Sequence, residues 1–199
     1  MKPLTALVLG IAGFGLYLLY DINSFKWNKG VLKAGFFTGT LLIAAAPLLL
    51  VLEAWRADAF TAGDMVLIAA AAIAFAALIY CLFFALPFDE TYSKQTSGRA
   101  VYTCGAYALC RHPGIICFFA FYLFLGLAAL PCKGLLGCGM LFSALNLAYA
   151  WFQDSVTFPR VFTGYEEYRG TTPFLIPSAK SIKRARQTWG RPYGKEEDL

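Results

Sequence analysis

Five stretches of this chain, residues 3–20, 34–52, 65–87, 114–131 and 135–152, are apolar and nearly free of charge. A helix rises about 1.5 Å per residue, so about 20 apolar residues cover the roughly 30 Å hydrocarbon core of a bilayer. Inside that core the backbone must satisfy its own hydrogen bonds, and a continuous apolar stretch does so only as a helix. The expected fold class is therefore all-α, a multi-pass transmembrane helical bundle of about five membrane helices. Composition agrees, with 59% hydrophobic and 15% charged residues and a mean hydropathy of +0.59, outside the usual range of a soluble domain. The first stretch follows Lys2 and is longer than the apolar core of a secretion signal. No small-residue cleavage site lies at 17–21, so it reads as the first membrane helix.

Charge sets the expected orientation. With the N-terminus outside, the inner segments are 21–33, 88–113 and 153–199, and they hold 14 of the 17 Lys and Arg. Only Lys2, Arg56 and Lys133 remain outside. The positive-inside rule then gives N-terminus out and C-terminus in. The expected location is a bacterial inner membrane or another cytoplasm-facing membrane, with the chemistry on the cytoplasmic side and no nucleic-acid partner. Six cysteines contain no Cys-x-x-Cys pair, and a single histidine cannot complete a Cys/His zinc set, so no metal is expected. Cys132 and Cys138 both fall near the outer face and leave a pairing open. Small apolar residues in membrane helices is the other reading.

Three regions follow. Residues 1–87 hold three N-terminal helices given to packing. Gly35 and Gly39 form a G-x-x-x-G, Gly10 and Gly13 offer a similar surface, and Pro47 sits inside the second helix. Residues 88–177 begin with a polar loop and carry the chemistry. Residues 178–199 form a basic tail whose Lys180, Lys183, Arg184 and Arg186 suit anionic headgroups or simply anchor the topology.

The specific stretch is 102–114, YTCGAYALCRHPG, with Arg111 and the chain's one histidine, His112. Pro113 lacks an N–H and fits the first turn of a helix, so His112–Pro113 marks a helix start. The unpaired N–H groups and dipole of that start, beside Arg111 and His112, make an anion-binding corner. On the fifth helix Ser143, Asn146, Gln153, Asp154 and Thr157 fall within an arc of about 100° at helical spacing. Polar groups in a bilayer face protein or water, so this stripe points inward, and a hairpin of helices four and five brings Asp154 level with Arg111 and His112. Tyr165 and Tyr168 share a helical face, and Pro173 and Pro177 bracket an apolar turn.

Taken in order, Gly105-x-Tyr107-x3-Arg111-His112-Pro113, a membrane hairpin, an acidic position, Tyr165-x2-Tyr168 and Phe174-Leu175-Ile176-Pro177 resemble the isoprenylcysteine carboxyl methyltransferase family and its wider group of membrane phospholipid methyltransferases. The resemblance covers roughly residues 88–177. It implies an S-adenosylmethionine-dependent methyltransferase acting on a lipid-like or prenylated acceptor. Gly105, Tyr107, Arg111, His112, Pro113, Tyr165 and Tyr168 are then the cofactor-binding set. The donor's carboxylate is expected at Arg111, His112 and the helix start, and its adenine against Tyr107, Tyr165 or Tyr168. Its sulfonium is expected by an aromatic face or Asp154, with Asp154 and Arg111 as the catalytic pair. This chain departs from the family at Gln153–Asp154, where a pair of glutamates is usual, and at Phe158–Pro159, where a continuous helix is expected. The rival readings are a sterol-type membrane reductase using NADPH and a non-enzymatic membrane scaffold.

Overall fold

The computed structural model describes residues 2–85 and 99–190. Most of the expected polar loop (86–98) and the end of the basic tail (191–199) lie outside the described residues. The chain order is α1 (Lys2–Lys26), α2 (Gly30–Arg56), a 3-10 turn (Ala62–Asp64) leading into α3 (Met65–Ile79), and a π-turn (Tyr80–Phe84) that prolongs α3. There follow β1 (Arg99–Ala100), α4 (Ala106–Leu109), α5 (Pro113–Ala128), α6 (Lys133–Phe152) and a second π-turn (Gln153–Thr157). The chain closes with α7 (Phe158–Val161), β2 (Phe162–Thr163), α8 (Tyr165–Thr171) and α9 (Ala179–Thr188). The fold is a bundle of helices, and among the described residues the strands are a two-residue parallel bridge pairing Arg99 with Phe162 and Ala100 with Thr163.

Among the described residues four helices are long and apolar enough to cross a membrane: Pro3–Lys26, Gly30–Arg56, Ala62–Phe84 and Lys133–Val161. The fifth expected segment is the shorter apolar helix Pro113–Ala128, of 16 residues. At 1.5 Å per residue it spans about 24 Å, a little short of a full hydrocarbon core. It starts at Pro113, as the missing N–H requires, and the turn at Ala129–Cys132 ends it before α6 begins at Lys133. Large apolar side chains stay exposed along the spans, among them Leu4, Val8, Ile11, Phe37, Leu48 and Ile73. Bilayer lipid is the solvent for such a surface.

The chain divides into two compact units. The first holds residues up to Phe75 together with Phe118–Thr157. In it α1 and α2 form an antiparallel pair brought close by glycine: a Cβ on Gly13 would stand 3.0 Å from the Gly39 carbonyl oxygen, and one on Gly39 3.0 Å from that of Gly13. Their connection is closed by Asn23, which is buried, donates from Nδ2 to the Lys29 carbonyl (3.0 Å) and accepts from the Lys29 N–H (2.8 Å). Helix α6 runs parallel to α1, with Pro3 beside Gly134 at one end and Tyr17 stacked on Tyr149 at 5.6 Å nearer the other. Helices α5 and α6 make the expected antiparallel hairpin, where Gly126 meets Leu136 and Gly139 meets Tyr122.

The second unit holds Ala76–Cys117 and the residues from Phe158 onward. Its apolar centre is Cys81, Ala85 and Ala106, with Tyr107 and Cys117 packed against them. Helix α9 is fastened here by its buried face, Ser181, Ala185 and Thr188, and the Thr188 hydroxyl accepts the Gly105 N–H at 3.0 Å. All six cysteines are free, so Cys132 and Cys138 do not pair.

Two local features differ from the sequence expectation for a common cause. Helix α6 does not break at Phe158–Pro159; the chain stays helical to Val161. Proline in a regular helix removes one hydrogen bond and presses on the carbonyl four residues earlier, and the wider π-turn just before it relieves both. The same turn breaks the 100° periodicity used to align Asp154 and Thr157 with Ser143. Ser143 is satisfied locally by the Gly139 carbonyl at 2.8 Å.

Candidate functional site

Seven of the eight expected site residues, Gly105, Tyr107, Arg111, His112, Pro113, Tyr165 and Tyr168, lie in the second unit, and Asp154 lies in the first. The seven come from two segments, and hydrogen bonds join those segments directly. The main-chain N–H groups of Arg111 and His112 donate to the carbonyls of Pro173 and Phe174 at 2.9 and 3.2 Å. The Tyr168 hydroxyl donates to the Tyr107 carbonyl at 2.7 Å. Gly105 is buried with φ +58°, a conformation a side chain opposes, and this sharp turn launches α4.

Arg111 occupies a defined post. Its Nη1 donates to the carbonyls of Arg169 (2.8 Å) and Thr172 (2.7 Å), where α8 ends, and its guanidinium lies 5.6 Å from the Phe174 ring centre. A cation at a helix C-terminus meets the negative end of the dipole, so Arg111 clamps α8 to the stretch before α5. His112 is buried between Phe158, stacked at 5.9 Å, and Phe174, edge-on at 4.9 Å. The main-chain N–H groups of Arg111 and His112 are thus taken by the 173–174 turn, just before the helix start at Pro113.

Aromatic rings fill this unit. Phe158 contacts Phe162 and Tyr165, each at 5.4 Å, and Tyr165 meets Tyr168 edge-on at 5.8 Å. Tyr165 and Tyr168 are 3% and 4% exposed. Tyr107, Phe158, Phe162 and Phe174 stay half-buried. The sequence reading passed over Phe162, whose signal was only its apolarity; it named Phe174 in the motif and Phe158 as a departure from it. Burial pushes the Cys110 thiol up from 9.0 to about 11, against the hydrogen bond from the His112 main chain, and burial likewise raises Tyr102.

In the first unit Asp154 is 3% exposed on the π-turn that follows α6. A second buried carboxyl, which the sequence reading passed over, faces the same turn: Asp21 of α1 is 5% exposed and hydrogen-bonds with Tyr149, Gln153 and Thr157. Gln153 Nε2 also donates to the Tyr149 hydroxyl at 2.9 Å. The sequence signal was present, an acidic residue directly after an apolar stretch, but charge counting assigned it to a loop. π-turns interrupt helices mostly where function needs an altered register, and an ionisable group in a membrane span marks a functional position. Compared with protein-family models, with curated proteins and with solved structures, the chain has no match.

Proposed function

We propose that this protein is an integral-membrane methyltransferase that uses S-adenosylmethionine on a lipid-like or prenylated acceptor. One observation carries the reading: the two motif segments, some sixty residues apart, are tied together by the Tyr168–Tyr107, Arg111–Pro173 and His112–Phe174 hydrogen bonds. The residues present fit the donor chemically. Half-buried rings at Tyr107, Phe158, Phe162 and Phe174 suit an adenine, and the Arg111 guanidinium suits a carboxylate. Bound, the donor supplies an electrophilic methyl on a sulfonium; the protein's share is to hold the acceptor in line with it and keep water away. Tyr165 and Tyr168, being buried, support the other rings in this arrangement.

The test is thermal. S-adenosylhomocysteine at about a hundredfold over its Kd stabilises a binding protein by about 2.7 kcal/mol, a readily measured rise in Tm. A rise with NADPH alone would replace this reading with a reductase, and no rise with either would leave the scaffold. The proposed orientation puts the catalytic face in the cytoplasm, so a reporter fused after Leu199 is expected inside and one at residues 56–64 outside.

A further inference from the structure

We propose that the exposed face of α9 is a binding site for anionic phospholipid headgroups, holding this helix flat on the membrane surface. The helix reads AKSIKRARQT and carries four cationic residues and no acidic one. At 100° per residue its buried positions, Ser181, Ala185 and Thr188, share one side. Arg184 leans toward that side and donates to the Thr172 hydroxyl at 3.3 Å. Lys180, Lys183 and Arg186 are exposed on the opposite arc, with nothing acidic on the helix to neutralise them.

The apolar residues beside that arc locate it. Ile182 is 39% exposed and Trp189, just past the helix, is 57% exposed; Ile176, just before it, is 84% exposed. Trp189 stacks on Tyr80 with ring centres 6.1 Å apart and planes 8° from parallel. Tyr80 belongs to the span Ala62–Phe84, about one turn from its end, so the C-terminal end of α9 sits at the depth where a membrane helix leaves the bilayer. Tyr and Trp favour that depth, since their rings are apolar and their polar edges want water. A basic arc flanked by exposed Ile and Trp at this level faces headgroup phosphates with its cations and acyl chains with its apolar edge. The occupant is thus a lipid surface, and the inference stands apart from the methyltransferase reading.

Full-length protein in nanodiscs of phosphatidylcholine alone, or with roughly a third phosphatidylglycerol, provides the test, read as hydrogen exchange of the 179–188 amides. Each cation near an anionic surface contributes about fivefold in affinity, so three give on the order of a hundredfold, and α9 exchange is expected to slow by tenfold or more in the anionic discs. Raised salt should abolish the difference by shortening the screening length. Lys180→Gln/Lys183→Gln/Arg186→Gln should lose it, whereas Lys180→Arg/Lys183→Arg should keep it. Equal exchange of the parent in both discs overturns the proposal, as does full slowing in the glutamine variant. Equal slowing by inorganic phosphate in the zwitterionic discs would assign the site to free anions and overturn the lipid assignment. Should the glutamine variant fail to fold, the parent's salt response and the arginine variant decide the matter.

Discussion

The Tyr168 hydroxyl donates a 2.7 Å hydrogen bond to the main-chain carbonyl of Tyr107, sixty-one residues earlier. It ties α8 to α4 through a buried phenol. Tyr168→Phe keeps the ring and removes the donor, leaving the carbonyl without it. Unfolding in detergent should show a loss of about 1–2 kcal/mol. Affinity for S-adenosylhomocysteine should fall with it, because the Tyr107 segment loses its brace. An unchanged Tm would mean that ring packing alone joins these helices.

Arg111 has two possible tasks, and substitutions separate them. As the clamp on the Arg169 and Thr172 carbonyls it also lays a planar guanidinium by the Phe174 ring, a contact lysine lacks. Arg111→Lys should therefore cost about 1–2 kcal/mol of stability without ligand. Arg111→Ala should add roughly a tenfold or greater loss of S-adenosylhomocysteine affinity, the value of a charge-assisted hydrogen bond. Titration of both variants beside the parent checks this. Parent-like affinity in the alanine variant would confine Arg111 to structure.

The two buried carboxyls of the first unit should respond differently. Asp154→Asn keeps shape and loses charge; if Asp154 acts at the reacting centre, methyl transfer falls by more than donor affinity does. That comparison follows an acceptor screen of lipid amines, lipid carboxylates and lipophilic thiols. Asp21→Asn replaces one of two acceptor oxygens that serve Tyr149, Gln153 and Thr157 with a donor, so melting should show a loss of about 1 kcal/mol. Parent-like stability together with lost turnover would mark Asp21 as a functional carboxylate.

Packing of the hairpin rests on glycines. A Cβ on Gly139 would stand 2.6 Å from Tyr122 Cδ1, and one on Gly126 2.8 Å from the Leu136 Cα. Gly139→Ala and Gly126→Ala should each destabilise by about 1–3 kcal/mol. Gly15→Ala, with nothing within 4 Å, should be neutral or slightly stabilising, because alanine suits a helix better by about 0.5–1 kcal/mol. Thermal melts of the three variants check the ranking.

The buried Cys110 thiol gives a pH dependence with a definite sign. Its value rises from 9.0 to about 11 on folding, so between those pH values the unfolded chain has released the proton and the folded chain retains it. The unfolded state then binds fewer protons, and stability falls as pH rises through that window. Cys110→Ala should flatten the decline above pH 9, which denaturation at stepped pH reads directly.

Residue order by itself determined the class of fold and most helix positions. Apolar stretches of bilayer length have no other way to satisfy their backbones, and Pro113 admits only a helix start. It also named most members of the second unit's cluster, because glycine, tyrosine, arginine and histidine stand out in an apolar chain. Tertiary structure decided what those residues touch. Whether Arg111 meets an anion or two carbonyls depends on where Arg169 and Thr172 arrive, which is a matter of chain path. The inward turn of Asp21 was likewise hidden, since charge counting put it in a loop and the partner helix α6 changes register at Gln153–Thr157. Periodicity is a local property that sequence carries; a π-turn, a shared hydrogen bond or a buried carboxyl is settled by which segments pack together.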